Sequence, residues 1–318
     1  MAMSKFFNIS FLAVLLIAGC GQKKAEHFEA LPFPDITIPS MIRTQQDAAD
    51  HYALHFWDRM ADPERSFPSD SVLVSGVRKD DVEQKFANWL SILDLVDLKT
   101  SEKAVKTLYD RALSCEMKDS TSNVFETFEE LADKYMYDPN SPMRNEEHYL
   151  HYASRLASYE GFGTEIREKY ARRAEGCALN RLGQKAADFR FADSKGRIRT
   201  LHGIETPYTL LFFSNPGCEA CMGIINMLKD EPKVSEMVSA GTLAVLNIYI
   251  DEDLQAWKDY MPVYPDDWYN GFDPDFVIRN DGLYSVRAIP SLYLLDKEKR
   301  VILKDVPESK MMSYLVNL

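Results

Sequence analysis

Two cysteines three positions apart, Cys218 and Cys221, end a short apolar run that reads Tyr208-Thr-Leu-Leu-Phe-Phe-Ser-Asn-Pro-Gly-Cys-Glu-Ala-Cys. The pattern is a strand, a turn, and two thiols opening a helix. Thiols at this spacing can close a small disulfide ring. The first sulfur also meets the unpaired N–H groups and the positive dipole end of the helix, which favour negative charge. A thiolate is the nucleophile of disulfide exchange, so Cys218 is placed to attack and Cys221 to resolve the mixed disulfide. Zinc fits less well. A structural site takes about four ligands, whereas Cys20, Cys115 and Cys177 stand far off and only His202 of the six histidines lies in this half. A purely structural bridge is the plainer alternative, but so small a ring constrains little unfolded-chain entropy.

Strand signals that could position this pair begin only after Gly183. Asp188–Phe191 and Arg197–Leu201 flank a turn around Gly196 and predict a hairpin. The Tyr208 strand follows, then the cysteine helix, a strand over 243–250, and a variable region over 251–287. A last hairpin has arms at Ser291–Leu295 and Val301–Lys304, and a helix over 308–316 closes the chain. The order β-β-β-α-β-α-β-β-α predicts a mixed sheet with helices on both faces.

Upstream, residues 31–180 carry helical periodicity. The spacing predicts helices over 44–60 and 80–96, one capped by Ser101, one opened by Thr121 or Ser122, one capped by Asn145, and one over 164–174. Tyr137-Asp-Pro-Asn-Ser-Pro142 breaks the chain between the fourth and fifth. The aromatic content (16 Tyr, 17 Phe, 4 Trp) is enough to fill two cores. His51 and His55 lie one helical turn apart, as do His148 and His151. Neither pair has an obvious third ligand, so packed or solvated histidines are the simpler reading and no metal is assigned.

The first residues read as an address, not as fold. Phe6–Ala18 is apolar apart from Asn8 and Ser10, follows a single positive charge at Lys5, and is short for a bilayer span. Its ending, Ile17-Ala18-Gly19-Cys20, resembles a bacterial lipobox. That predicts a signal peptide over 1–19, lipidation of Cys20 and a polar tether over 20–30, with a plain signal peptide and an incidental Cys20 as the alternative. The chain would then be exported, anchored in the cell envelope facing the periplasm, where disulfides persist. Four cysteines remain after Cys20, so Cys115 and Cys177 could form a structural disulfide; two separate buried thiols are the other possibility. A net charge of −12 without a long basic block argues against nucleic acid.

Three segments together resemble the thioredoxin superfamily, and within it the extracytoplasmic thiol-disulfide oxidoreductases of TlpA and ResA type. They are Leu182-Gly-Gln-Lys-Ala-Ala-Asp-Phe189, the strand-borne Cys218-Glu-Ala-Cys221, and Ala288-Ile-Pro290-Ser. The resemblance implies a cis proline at Pro290 facing the cysteines, with the backbone of Ile289 pairing with an extended substrate peptide. Phe213, Pro216, Ile289 and Pro290 would form the apolar rim. Around Tyr52-Ala-Leu-His-Phe-Trp57-Asp58 and Tyr137–Glu146 the chain resembles an uncharacterised domain that precedes thioredoxin-like domains in Bacteroidota lipoproteins. The resulting fold class is α+β: an all-helical domain over 31–180, then a thioredoxin-like domain with a mixed sheet over 181–318.

The chain departs from thioredoxin in two places. The buried acid that thioredoxin carries six positions before its first cysteine is here Phe212, so proton transfer must use water or another group. Glu219, beside Cys218, raises the thiol pKa while the helix terminus lowers it. The function implied is disulfide exchange with protein thiols, with a membrane thiol donor and no cofactor beyond the redox-active disulfide. Two rivals stand beside it. A peroxiredoxin-like peroxidase would want a proline and a hydroxyl where Leu211 and Asn215 stand. An anchored binding protein would carry a vestigial redox pair.

Overall fold

Caps decide where the helices of the first half begin. In the computed structural model, which describes residues 28–67 and 71–318, Thr44 Oγ1 accepts from Asp47 N at 3.0 Å and starts α1 (Gln45–His55). The helix stops short of the expected Met60; Phe56–Met60 continue as turns that still bury Phe56, Trp57 and Met60. A two-residue hairpin, β1 (Leu73–Val74) with β2 (Val77–Arg78), precedes α2 (Lys79–Leu93). The third helix, α3 (Leu98–Lys118), is capped by Asp97, not by Ser101: Asp97 Oδ1 accepts from Thr100 N at 2.7 Å. An anion at the N-cap also complements the dipole, which Ser101 does not, and Ser101 turns its hydroxyl back to Leu98 O. The fourth, α4 (Val124–Leu131), runs on into a π-helical turn over Ala132–Tyr137. Asn145 caps α5 (Glu146–Ala157) by accepting from Glu147 N and His148 N, and α6 (Thr164–Ala178) follows.

Their apolar stripes close one aromatic core. Trp57, Phe86, Trp89 and Phe128 meet edge-on or tilted at centroid separations of 4.8–6.1 Å. Two buried polar tips find partners, Trp89 Nε1 donating to Ala53 O at 3.0 Å and Tyr109 Oη to Phe128 O at 2.9 Å, whereas the Trp57 indole N–H has none among the described residues. Cys115 and Cys177 belong to this core and are both free, so the expected bridge between them is not formed.

The second half is a seven-stranded mixed sheet in the order β4-β3-β7-β6-β5-β8-β9. The hairpin β3 (Arg190–Asp193) with β4 (Ile198–Thr200) forms one edge. At the centre β5 (Tyr208–Phe213) runs parallel to β6 (Leu243–Tyr249), which runs parallel to β7 (Tyr269–Phe272). Antiparallel β8 (Ser291–Leu295) and β9 (Val301–Lys304) complete the other side. Along the outer rim of β9 the chain supplies its own cover: Gly183 N donates to Val301 O, Val301 N to Gln184 O and Ala186 N to Lys299 O.

The helices α7 (Glu219–Asp230), α8 (Pro232–Ser239), α9 (Leu254–Tyr260) and α10 (Glu308–Val316) all pack into one apolar cluster, with Phe212, Val245 and Leu294. The opposite face, with Leu211, Phe213, Leu246 and Tyr293, is covered by non-helical segments that bring in Phe189, Ile204, Ile278 and Tyr284. The expectation of helices on both faces is therefore corrected: this half has them on one. Among the described residues no helix is long and apolar enough to cross a membrane. The lipobox and Cys20 lie outside the described residues.

Candidate active site

Strand β5 delivers the cysteines at its carboxyl end, beside the matching end of parallel β6, where open sheets leave a crevice for ligands. Four residues make the turn. Cys218 N donates to Asn215 O at 3.3 Å, and Gly217 sits at φ +71°, where a side chain would be strained although nothing else crowds the position. Cys218 is then the N-cap of α7, and its sulfur accepts from Cys221 N at 3.1 Å. The two sulfurs are joined as a disulfide across Cα atoms 5.2 Å apart. Cys221 is buried in the first turn; Cys218 is half-buried, so the outer sulfur is the one a partner can reach.

The loop before β8 faces this pair. Ser291 registers with Phe213, which places Ile289 and Pro290 just beyond the end of β5. The Ile289–Pro290 bond is cis, and Ile289 packs into the same apolar cluster as both cysteines. Pro216, Ile289 and Pro290 are half-exposed and border the crevice. Phe213 does not. Strand alternation turns it to the opposite face, where it is fully buried against Tyr284 and Tyr293, so it is no part of a peptide-binding rim.

Phe212 takes the buried position under Cys221 that an acid would occupy. The polar groups on this side of the sheet are different ones. Ser214 Oγ donates to Asn247 Oδ1 at 2.5 Å, Asn247 Nδ2 to Asn270 Oδ1 at 3.1 Å, and Asn270 Nδ2 to Pro265 O at 2.7 Å. The Tyr264 phenol, its pKa raised chiefly by burial, stands beside Ser214 and Asn247. The sequence did not single out this chain; the one signal for it is Asn247 inside an otherwise apolar strand. Asn215 Nδ2 reaches Asp251 at 2.7 Å, which ties the turn to the end of β6.

The other candidates fall elsewhere. Burial pushes the Cys115 thiol up to about 11 and the Cys177 thiol up to about 12, far from thiolate character. The His51 and His55 rings meet tilted at a centroid separation of 4.6 Å, with His55 bonded to Asp58. His148 is buried and its pKa is lowered to about 4, chiefly by desolvation. Among the described residues no three side chains of ligand type gather into a metal site.

Comparison with known proteins bears on the family and the fold. A family model described as a domain of unknown function, DUF5106, matches residues 18–180. A crystal structure of a thioredoxin-like protein from Bacteroides caccae is 34% identical and superposes with a TM-score of 0.77, covering 90% of this chain and 98% of its own. Two shorter structures from Bacteroides fragilis align as well. One is a C-terminal domain at 46% identity, covering 43% of this chain and 98% of its own with a TM-score of 0.42. The other is a conserved protein at 38% identity, covering 42% and 98% with a TM-score of 0.42. No curated protein matches. With a family model over its first half and a solved relative over nearly its whole length, the chain belongs to the thioredoxin-like superfamily and carries a DUF5106 domain ahead of its redox fold.

Proposed function

We propose that this protein is a membrane-anchored thiol-disulfide oxidoreductase that exchanges disulfides with extracytoplasmic protein substrates through Cys218 and Cys221. One observation carries the reading: a half-exposed sulfur caps a helix and accepts its backbone N–H, while its bonded partner lies buried one turn in. Once the pair is reduced, the same N–H and the helix dipole stabilise a thiolate on Cys218.

The Cys218 thiolate attacks one sulfur of a substrate disulfide. An S–S bond forms between Cys218 and the substrate, the substrate's own S–S bond breaks, and its other sulfur leaves as a thiolate. Deprotonated Cys221 then attacks the Cys218 sulfur, the substrate's second thiolate leaves, and the Cys218–Cys221 disulfide closes. Two electrons have passed to the substrate, and a membrane thiol donor returns the pair to the dithiol. The half-exposed Ile289 and Pro290 would hold the substrate as an extended peptide, by analogy with the superfamily. Lipidation of Cys20 and a tether over 20–30 would keep the two domains, 31–180 and 181–318, at the envelope surface facing the periplasm.

Trapping tests the proposal. A Cys221→Ala protein should accumulate covalent partners through Cys218, released by dithiothreitol and identified by mass spectrometry. A reduced native-state protein whose Cys218 resists alkylation, while the unfolded chain reacts freely, would remove the enzymatic reading.

A further inference from the structure

The loop that faces the cysteines is held from the helical half of the molecule. Arg287 leads into it, and its side chain is only 13% exposed. Its Nε donates to Glu146 Oε1 at 2.9 Å, its Nη2 to Asp305 Oδ2 at 3.1 Å, and its Nη1 to the carbonyl of Tyr137. The guanidinium also lies over the Tyr137 ring, 4.4 Å from the centroid. Ser285 Oγ donates to the same Glu146 oxygen at 3.2 Å. At the far end of the loop Ser291 Oγ donates to Asp305 Oδ1 at 2.8 Å. Segment 285–291 is thus pinned at both ends, and two of its anchors, Glu146 and Tyr137, come from the helical region.

The anchors are themselves fixed. Glu146 opens α5 with a side chain 1% exposed, and its other oxygen pairs with Lys304 Nζ at 2.9 Å. Lys304 also donates to Cys177 O at 2.6 Å, near the end of α6. Arg144 donates to the carbonyls of Asp305 and Val306 at 2.8 and 2.9 Å. Fold alone would be secured more simply by apolar packing, since buried ion pairs add little net stability over apolar replacements of the same shape. What such a network supplies is direction: planar guanidinium forks fix both distance and angle.

We propose that Glu146 and Arg287 are positioning residues for disulfide exchange, through which the helical domain sets the backbone of Ile289 that receives the substrate peptide. The inference rests on the exchange reading above and deepens it. It gives the helical domain a part in substrate recognition while leaving sulfur chemistry to Cys218.

The test uses the full chain with Glu146→Ala, Glu146→Gln and Ser291→Ala. Each variant is first shown to unfold cooperatively. Two rates are then compared: alkylation of reduced Cys218 by iodoacetamide, which needs no peptide docking, and reduction of insulin disulfides, which does. Glu146→Ala should raise KM for insulin by about tenfold, well inside the ~10²-fold that a 1 Å misplacement can cost. Its alkylation rate should stay within about twofold of wild type, as expected for a residue that acts on docking and not on the thiolate. Glu146→Gln, which keeps a hydrogen-bonding side chain, should recover part of the KM. Ser291→Ala carries the test from the other end of the loop if the Glu146 variants do not fold. A folded variant with unchanged KM, or one in which alkylation and insulin reduction fall together, overturns the positioning role and leaves the exchange reading standing. A wild-type protein that reduces no insulin at all overturns both.

Discussion

Among the described residues the two halves of this molecule each contain two cysteines, and they use them in opposite ways. In the helical half Cys115 and Cys177 are filler: separate, buried, and pushed by burial towards the neutral thiol. In the sheet half Cys218 and Cys221 lie at the junction of a central strand and a helix, with one sulfur facing solvent and capped by an N–H. The residue type is the same, and so is the surrounding bulk of aromatic side chains. Backbone placement separates them. A sulfur inside an aromatic stripe packs; a sulfur at a helix start, beyond the end of a parallel strand, can react.

The largest expected effect tests that contrast directly. Cys218→Ser should abolish reduction of insulin-like substrates, whereas Cys115→Ala and Cys177→Ala should each leave it in place. Labelling sharpens the point. With thiol pKa values of about 11 and 12, only ~10⁻³ of Cys115 and ~10⁻⁴ of Cys177 is thiolate at pH 8. Iodoacetamide should therefore mark reduced Cys218 alone in the folded protein, and the other two only in urea. Rapid native-state labelling of Cys177 would break the comparison.

Next comes the core of the helical half. Phe128→Ala removes a fully buried ring that meets Trp57 and Phe86 and should cost about 3–5 kcal/mol in urea unfolding. Cys218 alkylation below the transition should not change.

A similar effect comes from His148. Its pKa of about 4 in the folded state lies below its ordinary 6.5, so between those values the unfolded chain takes up a proton that the native protein refuses. The stability contributed by keeping His148 neutral is full above pH 6.5 and is lost as pH falls towards 4, up to about 3 kcal/mol. His148→Asn should flatten that part of the stability profile; an unchanged profile would show that another group governs it.

The smallest effect comes from paired glycines at the site. Gly217→Ala should cost about 1 kcal/mol, because φ is +71° there. Gly223→Ala, in α7 with open space around the new methyl, should stabilise by about 0.5–1 kcal/mol. Thermal denaturation of the two variants should move in opposite directions.

Much of this was legible in the chain. The cysteine spacing, the β5 run and the Pro290 segment are local patterns, and local patterns survive folding. Helix positions were also legible, since apolar periodicity over two or more turns leaves little choice. Their starts were less so: Asp97 displaced Ser101 because the cap is chosen by backbone geometry as well as residue type. The short strand β7 went unseen within the variable segment 251–287, because four residues containing Asn270 and Gly271 carry no strand signal of their own. Phe213 was misplaced by one step of strand alternation, enough to move a side chain from the site to the opposite core. Glu146 was visible only as part of a resembling segment. Its partners Arg287 and Lys304 lie more than 130 residues away, and no local pattern reports a pairing at that range.

The rims of the sheet carry a last consequence. On one side the chain lays residues 183–186 along β9; on the other, β4 is three residues long, and its first residue, Ile198, lies between Arg197 and Arg199 in sequence. Neither border offers a long unpaired ladder for a foreign chain to extend. A polypeptide drawn to the molecule therefore finds no border of the sheet to lengthen, and the fold is guarded against recruitment into an aggregate.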